Sequence, residues 1–207
     1  MLAAMYILQR GTPFVYQGQE IGMLNINLPE LGMYKDVMAV NNIEVASHFM
    51  PRSTAMKLLA RSSRDNSRTP FQWSAEKNAG FTTGTPWFTV NENYHEINAA
   101  SQEDDPDSLL NFYRAILKFK KEDPVATWGD YTEYFPKDKH FYVYSRSYEG
   151  RRLLVICSFT RKARRFDAPE GFDLEKGKLL FSNYEGNFVI MNGFTSKPYE
   201  MRVYAFE

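Results

Sequence analysis

Residues 64 to 73 read Arg64-Asp65-Asn66-Ser67-Arg68-Thr69-Pro70-Phe71-Gln72-Trp73. Two guanidinium forks, two amides, a carboxylate and an indole surround one rigid proline. Such a set offers directional hydrogen bonds beside a stacking face, which is the combination a polyhydroxylated ligand requires. A second segment, Gly18-Gln19-Glu20-Ile21-Gly22, places polar groups just past the apolar run Pro13-Phe14-Val15-Tyr16. Other chemistries lack their signatures. The sequence has no phosphate-binding glycine loop of the right spacing, no cysteine cluster, no HExxH and no nucleophile elbow. His48, His95 and His140 are too scattered to imply a metal site.

The elements that must hold these residues follow from pattern. Met1 to Arg10 suits a helix ending at Gly11, and Pro13 to Tyr16 suits a strand buried on both faces. Helix, apolar strand and polar loop in succession is the grammar of an α/β unit. Leu31 to Ala46 and Thr54 to Ala60 read as helices broken near Pro51. Asn78 to Trp87 is glycine-rich, aromatic and aperiodic, and reads as a long ordered loop. Asp105 and Pro106 predict a helix start, with Leu109, Leu110, Tyr113, Ile116 and Leu117 as its apolar stripe and Lys120 and Lys121 complementing its dipole. Asp123-Pro124 stops it. Beyond that point Tyr131–Phe135, Phe141–Tyr148, Leu153–Phe159, Lys178–Phe181, Phe188–Met191 and Tyr199–Phe206 are short β-prone runs. Glu149-Gly150, Glu185-Gly186 and Asn192-Gly193 separate several of them, the spacing of an antiparallel sandwich. A boundary is placed at 123/124.

Composition narrows the function classes. Basic and acidic residues balance at 25 each, so no net field favours nucleic acid or an anionic membrane. Aromatics make up 15% of the chain, which serves either core packing or sugar stacking. Cys157 is the only cysteine, lies in the apolar run Leu153–Cys157 and is expected to be a buried, inert thiol. One cysteine also favours a reducing, cytoplasmic compartment. Met1 to Leu8 lacks a basic flank and a cleavage site, is too short to span a bilayer, and reads as a buried helix face.

The ten-residue run resembles the RDNxRTPxQW signature of α-glucosidases in the oligo-1,6-glucosidase branch of the α-amylase superfamily. Gly11 to Met23 resembles the eighth barrel strand and its following loop in that family. Asn78-Ala79-Gly80-Phe81-Thr82, Asp105-Pro106-Asp107-Ser108-Leu109, Lys197-Pro198-Tyr199-Glu200 and Val203-Tyr204 are similar to colinear family segments. The resemblance covers essentially the whole chain. It implies an α/β plus all-β fold: the C-terminal part of a (β/α)8 TIM barrel over 1–123, then an antiparallel β-sandwich over 124–207.

The resemblance further implies a retaining glycosidase acting on short α-glucosides, which needs two carboxyl groups about 5 Å apart. In the family these lie on earlier strands, and no counterpart of them is found here. The chain is therefore expected to be a fragment, inactive alone, with no catalytic residue, cofactor or metal of its own. Arg64 is expected to reach the terminal glucose, against the alternative of an ion pair with Asp65 or an upstream acid. Arg68, Gln19 and Glu20 are the further substrate-binding candidates, with Arg68 favoured as part of a packed loop and Glu20 as an anchor for its own loop. Trehalose-6-phosphate hydrolases and sucrose isomerases carry nearly the same signature. A non-catalytic structural or carbohydrate-binding fragment is the other reading, and a binding module would need an exposed aromatic platform. Apolar faces at Met1–Leu8 and Pro13–Tyr16, left without barrel neighbours, are expected to drive self-association.

Overall fold

The computed structural model describes residues 1–186 and 188–207. Its helices are α1 (Leu2–Ile7), α2 (Val37–Ser47), α3 (Arg52–Ser62), α4 (Ala99–Glu103), α5 (Leu109–Glu122) and α6 (Pro124–Trp128). The strands are β1 (Asp130–Tyr134), β2 (Phe141–Tyr148), β3 (Arg151–Ser158), β4 (Arg164–Asp167), β5 (Lys178–Ser182), β6 (Gly193–Ser196) and β7 (Met201–Phe206). The chain divides into two units, one of Met1–Phe14 with Tyr113–Glu207 and one of Val15–Phe112.

The first unit is built on a five-stranded antiparallel sheet of order β1-β2-β3-β7-β5, with β4 and β6 forming a second, two-stranded sheet. Glu149 and Gly150 both take positive φ, 48° and 82°, and close the β2–β3 hairpin in the conformation that matches strand twist. The apolar run in β3 has no polar alternation because both faces of the sheet are covered. On one face Val143, Leu154, Ile156, Tyr204 and Phe206 pack with Phe166 of β4 and Phe194 of β6. On the other, the Tyr144 hydroxyl donates to the carbonyls of Ala4 and Met5 in α1, at 3.3 and 2.9 Å. Much of the aromatic richness is therefore core. Cys157 is fully buried in this sheet, and burial pushes its thiol up to about 12, as an inert cysteine requires.

Two buried cations bind the helices of this unit, Arg146 from β2 and Lys120 from α5. Arg146 is fully enclosed and donates to the carbonyls of Leu8, Ala126 and Gly129. Lys120 Nζ donates at 2.7 Å to both Gln9 O and Ala126 O. Lys120 is thus a buried clamp, not the solvent-facing dipole partner its position near a helix end predicts. The carbonyls of Gln9, just past α1, and of Ala126, within α6, accept its hydrogen bonds.

Several expected boundaries shift. Pro13–Tyr16 forms no strand; Phe14 is 87% exposed, because no described strand runs beside it to take its hydrogen bonds. Met1–Leu8 is covered, with Ala4, Ile7 and Leu8 buried in the sheet-based unit, so this face does not stand open as expected. The helix expected from Pro106 begins at Leu109. Asp105 Oδ1 accepts from Asp107 N, and Ser108 Oγ takes the capping role by accepting from Asn111 N. Asp123 does end α5, and its carboxylate then caps α6 by accepting from Val125 N and Ala126 N. Phe188–Met191 contains only an isolated bridge at Ile190, whereas β4 and β6 form where no strand was expected.

The second unit carries less regular structure. Pro51 precedes α3 and separates it from α2, as expected. Ile26, Leu28, Tyr34, Ile43, Leu59 and Phe88 form its core. Long loops connect these elements, and the candidate site lies on them.

Candidate functional site

The signature run divides into residues that build the loop and residues that the loop presents. Asp65 is buried, and its Oδ2 accepts the backbone N–H groups of Lys35 and Asp36 at 2.7 and 3.0 Å. Asp36 is buried as well, and its Oδ2 accepts the N–H of Arg64 at 2.8 Å. That bond leads the effects that hold the Asp36 carboxyl below its ordinary range, despite burial. Asn66 accepts from Ile26 N and donates to Ala60 O, joining two further segments. Gln72 is fully buried and donates to Asn93 Oδ1 and Ile97 O. Charge-assisted and amide bonds to backbone of this kind fix a loop that has little regular structure.

What remains exposed is Arg64, Ser67, Arg68 and Trp73. Neither guanidinium forms a hydrogen bond or ion pair among the described residues, and the alternative Arg64–Asp65 ion pair is not made: Asp65 is buried, with Oδ2 on backbone and Oδ1 enclosed without a hydrogen-bond partner, while Arg64 is exposed. Trp73 stacks obliquely on Phe71 at 4.5 Å between ring centroids.

The Gln17–Glu20 segment is a tight turn. Gly18 takes φ 87°, and a Cβ there would meet Met23 Sδ at 2.5 Å. Gln19 Oε1 accepts from Tyr16 N at 3.2 Å, so this amide shapes its own turn. Glu20 is half-buried, and its Oε2 is enclosed without a hydrogen-bond partner among the described residues. The Tyr16 hydroxyl donates to Ser67 O at 2.8 Å and ties this turn to the signature loop.

A third segment completes the site. Asn78 and Ala79 both take φ 57° and Gly80 takes φ 66°, a left-handed run that only local bonding can hold. The N–H groups of Trp73 and Ser74 donate to Ala79 O, and Asn78 Nδ2 donates to the carbonyls of Thr82 and Gly84. These bonds aim Phe81 and Trp87 toward the signature.

Two grooves result. One, of about 480 Å³, is lined by Val15, Tyr16, Gln17, Ser67, Arg68, Thr69, Pro70, Phe81 and Trp87. The other, of about 330 Å³, shares Tyr16, Gln17, Ser67 and Thr69 and adds Gly18, Gln19, Met23, Leu24, Asn25 and Asn66. Arg68 and Gln19 therefore reach groove walls, whereas Arg64 and Glu20 line neither. Tyr16, Phe81 and Trp87 are wall residues that sequence reasoning did not single out; the signal for Phe81 and Trp87 was the aromatic content of the aperiodic loop, and that for Tyr16 its place at the end of the apolar run before the polar turn. No carboxylate lines either groove. Among the described residues no group of three His, Cys, Asp or Glu side chains could hold a metal ion. No helix is long and apolar enough to cross a membrane.

Comparison with known proteins places this arrangement. Residues 1–129 match the family model described as alpha-amylase, catalytic domain. An oligo-1,6-glucosidase of Halalkalibacterium halodurans is 38% identical over 99% of this chain, which spans 37% of that relative. The crystal structure of a Bacillus licheniformis trehalose-6-phosphate hydrolase superposes with a TM-score of 0.91 at 39% identity, covering 99% of this chain and 37% of that one. An isomaltulose synthase from Protaminobacter rubrum superposes with a TM-score of 0.88 at 38% identity, with the same coverages of 99% and 37%. The chain thus spans little more than a third of the length of these relatives, and by the extent and identity of the match it belongs to the α-amylase family.

Proposed function

We propose that this chain supplies one recognition wall of a retaining α-glucosidase of the oligo-1,6-glucosidase type, acting on short α-glucosides in the cytoplasm. Residues 1–123 form the C-terminal portion of its catalytic (β/α)8 barrel and residues 124–207 an antiparallel β-sandwich. Arg64, Arg68, Gln19 and Glu20 contact substrate in the complete enzyme. The observation that carries this reading is the free guanidinium of Arg68 beside Phe81 and Trp87, in a groove without a carboxylate. Donors beside aromatic faces recognise sugar, while retaining cleavage needs an acid and a nucleophile about 5 Å apart. Recognition and bond cleavage are thereby assigned to different parts of the enzyme, and this chain alone is inactive. The exposed Pro13–Tyr16 segment also makes it self-associate.

Titration of the purified chain with isomaltose, followed by tryptophan fluorescence, tests the reading. Trp87 is 61% exposed and should report binding, Trp87→Phe should abolish the signal, and Arg68→Ala should weaken it about tenfold, as loss of one to two hydrogen bonds to a charged donor predicts. Hydrolysis of p-nitrophenyl α-glucoside should not exceed the uncatalysed rate. A fluorescence response unaffected by Trp87→Phe, or measurable turnover, overturns the assignment.

A further inference from the structure

A separate groove of about 540 Å³ lies in the sheet-based unit, between the β1–β2 connection and β4. Its floor is apolar, with Phe141 packed on Phe166 at 5.0 Å between ring centroids. Its rim carries Phe135, Asp138, Arg164 and Asp167. We propose that this groove is a second, non-catalytic binding site for a neutral saccharide, with the Phe135 ring as its stacking face.

The connection is built to present that ring. Phe135 takes φ 55°, an uncommon conformation for an aromatic residue and one that recurs at binding sites. Asp138 N donates to Phe135 O at 2.8 Å, closing a turn with Pro136 at its second position, where proline is favoured. The ring stays 42% exposed while standing edge-on to Phe166 at 6.3 Å.

The polar rim is oriented before any ligand arrives. Asp138 Oδ1 accepts from His140 N and Phe141 N at 2.7 and 2.9 Å, which fixes the carboxylate and leaves Oδ2 for a ligand hydroxyl. Arg165 is committed to Asp167 Oδ1 and to the carbonyls of Ile190 and Met191. The Arg164 guanidinium makes no hydrogen bond or ion pair among the described residues and keeps its full set of donors, while its charge contributes to lowering the Asp138 carboxyl. The lining holds two carboxylates and two guanidinium groups, so neither an anion nor a cation is favoured by charge. A pyranose suits it, because its C–H face stacks on an aromatic ring while its hydroxyls both donate to carboxylates and accept from a guanidinium. The site goes beyond the proposed glucosidase reading, since it shares no residue with the grooves at Arg68.

Amide-resolved NMR of the purified chain titrated with maltotriose and, separately, isomaltotriose tests the site. Saturable shifts are expected at Lys137–His140 and along β4, with affinities on the order of millimolar as for a single stacked sugar. Phe135→Ala should weaken this titration about tenfold, Phe135→Trp should retain it, and Arg164→Gln should weaken it without touching the turn. Trp87→Phe should leave it unchanged, which separates this site from the groove at Arg68. Shifts absent from these segments up to about 50 mM sugar, equal titrations in wild type and both Phe135→Ala and Arg164→Gln, or tighter binding of glucose 6-phosphate than of either uncharged sugar would each overturn the proposal.

Discussion

Asp36 and Asp65 are fastened to each other's segments: Asp65 Oδ2 accepts the N–H of Asp36 at 3.0 Å, while Asp36 Oδ2 accepts the N–H of Arg64 at 2.8 Å. Each carboxylate thereby satisfies backbone that neither helix nor sheet would satisfy. The reciprocal pair fixes the chain on both sides of Arg64 and leaves its guanidinium free. Asp65, the one carboxylate of the signature run, is a natural candidate for ligand contact, yet it serves with Asp36 as scaffold.

Asp65→Ala should therefore destabilise the protein by about 2–4 kcal/mol, since it strands the part-buried donor of Lys35 and the buried donor of Asp36. Urea denaturation gives the magnitude. Amide exchange at Lys35, Asp36 and Arg64 should rise before global unfolding, because the loop is released first. A variant with unchanged exchange at these positions would show that the clasp is dispensable.

How much of this was legible in the sequence differs by element. The β2–β3 hairpin was, because two apolar runs flank Glu149-Gly150 and local turn chemistry fixes their pairing. The apolar stripe of α5 was also, and its Tyr113 and Ile116 are buried. Pro13–Tyr16 was misread because apolar content marks a strand only where neighbours exist to pair with it. β4 and β6 escaped notice since only Phe166 and Phe194 point inward from otherwise polar runs. In the site, the aromatic and cationic content of residues 64–87 pointed to recognition. The division of labour within it did not show, because Asp65 and Gln72 bond to residues 29 and 25 positions away. Nothing in local pattern encodes such partners.

Asp36 makes the clasp sensitive to acid. Its folded carboxyl lies below the ordinary value of 3.8, led by the hydrogen bond from Arg64 N. A depressed carboxyl contributes stability that is fully present above the unfolded value and is lost as pH falls through the folded one. Unfolding free energy should thus decline below about pH 4, and Asp36→Asn should reduce that decline while retaining an acceptor for Arg64 N. Equal pH slopes for the two proteins between pH 4 and 2 would remove Asp36 from the acid response.

Gln72 separates shape from polarity in the same loop. It is fully buried, its Nε2 has two acceptors, and its Oε1 has none among the described residues. Gln72→Leu removes the orphan oxygen along with the donor and should cost only about 1–2 kcal/mol. Gln72→Glu keeps the shape but replaces the donor with a carboxylate facing two acceptors, and should cost about 3–5 kcal/mol at neutral pH. The order of the two midpoints in urea decides whether Gln72 is held by its donor or by its volume.

Lys120 gives the opposite pH signature on the alkaline side. Burial, with the nearby Arg146 charge, lowers its ammonium from 10.5 to about 8. Below pH 8 both folded and unfolded chains carry this proton, and the fold bears the cost of the enclosed charge. As pH rises, the folded chain releases the proton first, so stability from this group increases between about pH 8 and 10.5. Cys157 acts against it from about pH 8 upward, since its thiol titrates around 9 when unfolded but near 12 when buried. The Met1 amine, depressed below 8 by burial, acts in the same sense as Lys120 while the unfolded amine loses its remaining proton just above pH 8, and so offsets the thiol. Unfolding free energy should accordingly rise from pH 8 to 9 in the wild type. Lys120→Met, which strands Gln9 O but carries no charge, should be less stable at both values and flat between them; a variant that kept the rise would place its origin elsewhere.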